Sequence, residues 1–263
     1  MATELWLSED FATLWQGQDP FAAAFALEGE TFRALEQRQT LAFIANGKRY
    51  FIKRHRGTTV GEILKNLVSL RLPVVSARNE YRAIRKLQEL GLRAPVIVAY
   101  GRRGLLPSAL ESFLVTEDVG SHLSLEDYCR PWNKQAPLFA EKLSLIEHLA
   151  DISRTLHTNG VCHRDYYLCH FLRVAQNAPL IVIDLHRALV KHRLEQRWIS
   201  KDIAGLYFSA MDVGLTQRDL FRFMRRYRKS ALRETLTRDK AFWEQVKGGA
   251  VRLYLKASLL NTG

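Results

Sequence analysis

Apolar and polar positions follow two different periods along this chain. Between Thr31 and His55 the pattern has the short period of strands, and QTLAFIANGKRYFIKRH holds two apolar runs joined at Asn46-Gly47. That dipeptide tolerates the positive φ angles of a two-residue turn, so the segment predicts a β-hairpin. PVIVAY at 95–100 and FLVTED at 113–118 predict two more strands around a Gly/Arg/Pro loop. Two helices are expected before them. The first spans 58–72, with Val60, Ile63, Leu64 and Leu67 on its apolar face and Pro73 as its stop. The second spans SARNEYRAIRKLQELG, with Tyr81, Ile84 and Leu87 as the buried stripe and Glu80 in its first turn. Near the N-terminus, DPFAAAFAL predicts a short helix with Asp19 as N-cap and Pro20 at the first position. The aromatics Trp6, Phe11, Trp15, Phe21 and Phe25 are read as core.

After Glu117 the period lengthens to that of helices. They are expected at 124–130, at 138–159 with Asn159-Gly160 as the stop, and at 201–212, 216–229 and 238–259. The fold class is therefore α+β and bilobal, with a β-rich part at 1–118 and a helical part at 119–263. No repeat or low-complexity linker interrupts it.

Composition narrows the class. The 263 residues are 47% hydrophobic and 25% charged, as in an ordinary folded protein. No apolar run is long enough to span a bilayer, and the acids in MATELWLSED are unlike a signal peptide, so a cytoplasmic protein is expected. Three cysteines, Cys129, Cys162 and Cys169, make no disulfide framework. The net charge of +12 calls for an anionic partner without choosing one.

The stretch VCHRDYYLCHFLRVAQNAPLIVIDLHR carries the chemistry. Asp165 stands in a polar loop, and Asp184 closes the apolar run Leu180–Ile183, which reads as a buried strand. One carboxylate to orient a nucleophile and another to hold a cation is the layout that phosphoryl transfer needs. Lys53 on its strand and Glu80 on its helix add a cation for phosphates and an acid to aim it. The competing reading of Lys53 is a solvated basic edge with Lys48, Arg49, Arg54, His55 and Arg56. The adjacent pairs Cys162-His163 and Cys169-His170 point their side chains apart, so a zinc site is not expected. The helix TQRDLFRFMRRYRKSALR holds Arg218, Arg222, Arg225, Arg226, Arg228 and Lys229. It is either a solvated face or a dock for lipid phosphates and anionic headgroups, extended by Arg33, Arg38, Lys65 and Arg71; an acidic carrier protein, such as acyl carrier protein, suits it equally. Nucleic acid is not expected, for no recognition pattern accompanies the charge.

HRDYYLCHFL and VIDLHR resemble the catalytic and metal-binding loops of protein-kinase-like folds. FATLWQGQDPF, YFIKRHRGTT, NLVSLRLPV, HRDYYLCHF, VIDLHRA and KDIAGLYFSAMDVGLTQRD are similar to the lipopolysaccharide core heptose(I) kinases of Gram-negative bacteria, over roughly residues 10–225. The resemblance implies an enzyme using ATP and Mg2+, peripheral at the cytoplasmic face of the inner membrane, that phosphorylates the first heptose of a nascent lipid-anchored core. It implies Asp165 as catalytic base, Asp184 as magnesium ligand, and Lys53 on the α/β-phosphates with Glu80 as partner. Glu117 and Val119 would meet adenine through backbone groups, and Asp202 would support the catalytic loop. The departures are specific. His170 stands where kinases place a second metal ligand, so either it joins Asp184 as a metal ligand or orients one, or one metal suffices; Tyr167 stands where many place a lysine near the γ-phosphate. No glycine-rich motif precedes Lys53, which leaves phosphate cover to Gly29 and its neighbours or to basic side chains. A protein tyrosine kinase and a non-catalytic pseudokinase scaffold are the alternatives on the same fold.

Overall fold

The computed structural model describes residues 3–35, 38–57, 76–106, 109–175 and 178–261. The expected helix 58–72, with Lys65 and Arg71, lies outside them, as does the side chain of Arg33. The chain divides into two compact units, Met1–Arg85 with Pro95–Gly120, and Lys86–Ala94 with Ser121–Gly263.

The first unit is built on a six-stranded antiparallel sheet in the order β1-β5-β6-β4-β3-β2. Its strands are β1 Glu4–Leu7, β2 Glu30–Leu35, β3 Arg38–Ala45, β4 Lys48–His55, β5 Ile97–Arg103 and β6 Glu111–Glu117. The β3–β4 turn is the expected one, with φ of 49° at Asn46 and 72° at Gly47. One sheet face is covered by helices α1 (Glu9–Leu14) and α2 (Pro20–Ala26). Phe11, Trp15, Phe21 and Ala24 pack there on Leu41, Phe43, Ile52, Phe113 and Val115. Each large side chain removed from water contributes about 2–3 kcal/mol, so Phe11, Trp15 and Phe21 are core as expected; Trp6 and Phe25 are only half-buried, with Arg85 and Arg56 over their rings. Asp19 caps α2 by accepting the Phe21 N–H at 3.2 Å. Helix α3 (Arg78–Glu89) follows, with Ile84 and Leu87 buried as its periodicity predicts.

The second unit is helical. Its helices are α4 (Leu125–Cys129), α5 (Phe139–Thr158), α6 (Gln196–Ser209), α7 (Gln217–Arg228), α8 (Leu232–Arg238) and α9 (Lys240–Asn261). Ala150, Ile203, Ala204, Tyr227, Phe242 and Val246 form one core cluster. Helix α6 begins at Gln196, five positions before its expected start, and α8 was not expected at all. Short strands carry the loops between α5 and α6: β8 (Val161–Cys162) pairs with β11 (Leu189–Val190), and β9 (Phe171–Arg173) joins β7 (Leu123–Ser124) and β10 (Ile181–Val182). The expected strand Leu180–Ile183 is thus only two residues long.

Candidate active site

Lys53 sits near the middle of β4, opposite Thr40 of β3 and Leu114 of β6. Tyr50 and Ile52 face the aromatic core, so alternation turns Phe51 and Lys53 to the other face. Tyr100 of β5 pairs with Leu114 and shares that face. Tyr81 of α3 stacks on Tyr100 with ring centroids 3.9 Å apart, which seats the helix there. Glu80, one residue earlier, then meets Lys53 at 2.5 Å between Nζ and Oε1. With side-chain exposures of 22% and 7%, the pair is largely withdrawn from water. The rest of the basic cluster is not a uniform solvated edge. Buried Arg54 donates to the carbonyls of Phe25, at 2.5 Å, and Leu27, closing the end of α2. Arg49 pairs with Glu30 at 2.8 Å and lies over Phe51.

The end of β6 is fixed by its ladder. Asp118 N–H donates to Arg49 O at 3.0 Å, so Tyr50 and Glu117 form the wide pair and the Glu117 N–H points away, to Val96 O at 2.9 Å. Asp118 Oδ1 accepts the Gly120 N–H at 2.9 Å, which sets the turn containing Val119. Gly29 precedes β2, and a Cβ there would lie 1.9 Å from Ala42 O. The close approach to β3 demands glycine whatever else the residue does.

In the second unit the loop that carries Asp165 leaves β8 and turns left-handed at Arg164, φ 73°. That conformation costs a non-glycine residue about 1–2 kcal/mol. Asp202, buried in α6, holds it: Oδ2 accepts the His163 N–H at 2.6 Å and Oδ1 the Arg164 N–H at 2.8 Å. Burial opposes ionisation of Asp202, but hydrogen bonds from His157 and the His163 backbone outweigh it and hold the carboxyl below its ordinary value. Buried His163 donates from Nε2 to Ile183 O at 2.9 Å. Burial pushes its pKa down, which keeps the ring neutral.

The two expected carboxylates lie in this unit and are tied together. His170 Nδ1 is 2.6 Å from Asp165 O, so that nitrogen carries the proton. Its Nε2 lies 3.6 Å from Asp184 Oδ2. The Ile183 N–H donates to His170 O at 3.0 Å. Asp184 is itself left-handed, φ 59°, and its Oδ1 accepts from His186 Nδ1 at 2.6 Å. Arg187 closes the circuit, with Nη1 at 2.8 Å from Asp165 Oδ1. Asp165, His170 and Asp184 are thus gathered with two partners that spacing alone did not reveal, His186 and Arg187. The signal for them was local: a 3₁₀ turn over Leu185–Arg187 brings residues two and three positions after Asp184 back beside it.

Magnesium takes hard oxygen ligands, typically one or two carboxylates completed by phosphate oxygens and water. Asp184 fits that set. No group of three His, Cys, Asp or Glu that could hold a metal exists among the described residues, so nucleotide phosphates would supply the remaining ligands. The Cys-His pairs make no cluster, and all three cysteines are free. Tyr166 is buried with its hydroxyl 2.9 Å from Ser153 Oγ, and is not displayed for modification.

A family model described as the lipopolysaccharide kinase (Kdo/WaaP) family matches residues 22–227. The chain belongs to this family. It is 45% identical over 253 residues to the lipopolysaccharide core heptose(I) kinase WaaP of Escherichia coli, covering 94% of this chain and 96% of the relative. Identity to the WaaP of Pseudomonas aeruginosa is 44% over 254 residues, covering 94% and 95%. A solved structure of WaaP in complex with acyl carrier protein superposes with a TM-score of 0.83 at 40% identity, covering 95% of this chain and 99% of that one. The β-rich unit and the helical unit are accordingly those of a kinase-like fold.

Two further features of this Kdo/WaaP-family kinase lie in its second unit. Helix α7 carries the basic stripe, but half of it is neutralised. Arg222 pairs with Asp219 at 2.8 Å, Arg226 with Asp151 at 2.7 Å and Arg228 with Asp239 at 3.0 Å. Among the described residues Arg218, Arg225 and Lys229 have no carboxylate partner. The inner side of α7 lines a cavity of about 570 Å³ with Ile146, Leu149, Leu206, Phe223, Met224 and Val246 among its walls. No periodicity argument foresaw that space, because the same residues read as ordinary core. No helix among the described residues is long and apolar enough to cross a membrane.

Proposed function

We propose that this protein transfers the γ-phosphoryl group of ATP to the first heptose of the lipopolysaccharide inner core. The observation that carries the reading is the gathering of Asp165, His170 and Asp184 in one unit, in a chain 44–45% identical to named heptose(I) kinases. Asp165 accepts the proton of the sugar hydroxyl. Asp184 holds magnesium, with Nε2 of His170 beside it. Magnesium neutralises phosphate charge when bound. Lys53, aimed by Glu80, takes the α/β-phosphates. Glu117 and Val119 offer backbone groups to adenine, and the backbone at Gly29 covers the phosphates. The residues 1–118 and 119–263 serve as nucleotide-binding and catalytic parts.

The substrate is lipid-anchored, so the protein works at the inner face of the inner membrane, where a positive surface is drawn to anionic headgroups. An acidic carrier protein is proposed as a second partner. The solved relative was captured with acyl carrier protein, and Arg218, Arg225 and Lys229, which pair with no carboxylate among the described residues, offer it positive charge. The apolar cavity behind α7 has the volume and lining of a ligand pocket, which suits a carrier's acyl chain.

The test incubates the protein with ATP, Mg2+ and core glycolipid lacking phosphate. Transfer is expected, and Asp165→Ala lowers it about 100-fold or more. No transfer by the wild type, or undiminished transfer by the variant, overturns the reading.

A further inference from the structure

We infer that Arg187 is a catalytic residue, whose guanidinium binds the phosphoryl group as that group passes to the hydroxyl held by Asp165. The inference rests on the kinase reading above and adds a residue to it. Among the described residues Arg187 engages only Oδ1 of Asp165, at 2.8 Å. A guanidinium presents five N–H donors in one plane, so a single contact leaves most of the fork available. The side chain is 40% exposed while that of Asp165 is 16% exposed, so the fork reaches from the base toward open space. Its root is fixed, because Leu185 is buried and the turn Leu185–Arg187 starts at Asp184.

Oδ2 of Asp165 then remains for the substrate. A hydroxyl donating to it sits about 2.7 Å away, and the phosphorus it attacks lies about 3–3.5 Å beyond that hydroxyl oxygen. A phosphoryl group so placed comes within reach of the remaining donors of Arg187. The chemistry needs a cation there. Tyr167, two residues after the base, supplies none; burial and the Asp165 charge raise its pKa, so the phenol stays neutral. His170 spends its Nδ1 proton on Asp165 O. In the step, the hydroxyl proton moves to Asp165 Oδ2 as the sugar oxygen bonds to phosphorus. The bond from phosphorus to the bridging oxygen breaks, and ADP leaves with the electron pair. Arg187 gives and takes no proton; it neutralises charge spread over the phosphoryl oxygens.

The experiment compares wild type, Arg187→Ala and Arg187→Lys by calorimetry with MgADP and with MgADP plus fluoroaluminate, a stand-in for the transferring group. Turnover and thermal melting are measured alongside. Arg187→Ala is expected to bind MgADP as the wild type does, to lose about 100-fold in affinity for the fluoroaluminate complex, and to lose turnover by a similar factor. Millimolar guanidinium chloride should restore part of that turnover. Arg187→Lys, which keeps the charge without the fork, should fall between, and it is the variant read if the alanine protein does not fold. Equal weakening of both complexes, a turnover loss below tenfold, or no rescue by guanidinium overturns the role. If wild type binds MgADP-fluoroaluminate yet phosphorylates no heptose, the substrate assignment fails while the Arg187 comparison still stands.

Discussion

The two units place their charged groups by opposite means. Lys53 is a long, flexible cation on a rigid strand, and its direction follows from sheet register, from the Tyr81–Tyr100 stack that seats α3, and from the ion pair with Glu80. Asp165 and Asp184 are short anions on irregular backbone. Their placement follows from left-handed residues at Arg164 and Asp184 and from buried groups that hold those turns, Asp202 and His163. A regular element can orient a side chain with few special residues, whereas a loop needs its own hydrogen-bonded support. Damage to the first unit's site should therefore be local. Damage to the second unit's should spread into stability.

The sharpest break of that contrast is Asp202→Ala. It strands two backbone N–H groups and removes the restraint on Arg164, so it should destabilise the protein by about 3–5 kcal/mol in urea unfolding and abolish turnover. Glu80→Gln keeps a hydrogen-bonding group beside Lys53 but removes the charge. It should raise the KM for ATP about tenfold while costing only about 1–2 kcal/mol of stability, because Lys53 keeps part of its solvation. A stability loss equal to that of Asp202→Ala would erase the distinction. The smallest effect is on pH dependence. Burial, against the pull of the Asp202 charge and the bond to Ile183 O, lowers the His163 pKa below 6.5. The folded protein thus resists a proton that the unfolded chain accepts. Stability from this group is present above pH 6.5 and falls as the pH drops below it, by up to about 1.4 kcal/mol per unit. His163→Asn should flatten that decline in melting curves taken between pH 7 and 5.

Much of this was legible in the chain. Asn46-Gly47 announced its turn because only a few residues accept φ of 49° and 72° in succession. The stripe Tyr81, Ile84, Leu87 announced α3 because a buried helix face must be apolar at that spacing. Lys53 and Glu80 were read as partners although a strand and a helix separate them in kind and 27 positions separate them in sequence. Strand β1 was not legible: four residues become a strand only by pairing with Ala99–Arg102, nearly a hundred positions away. The early start of α6 and the existence of α8 were likewise decided by packing, which periodicity in a short window cannot register. The basic edge around Lys53 dissolved into separate roles, since the sequence does not say that Arg54 turns inward to cap α2. Arg187 stayed hidden because its partner, Asp165, is 22 positions away and the turn that joins them has no periodic signature.

Lys53 and Asp184 are proposed to serve ATP binding by different means, the first through its charge and the second through magnesium. Titration calorimetry of ATP into wild type, Lys53→Ala and Asp184→Ala, each with and without Mg2+, tests it most directly. Wild type should bind ATP more tightly with magnesium than without; Lys53→Ala should weaken binding about tenfold or more in both conditions, and Asp184→Ala should erase the magnesium dependence alone. ATP binding that neither substitution alters would contradict the account.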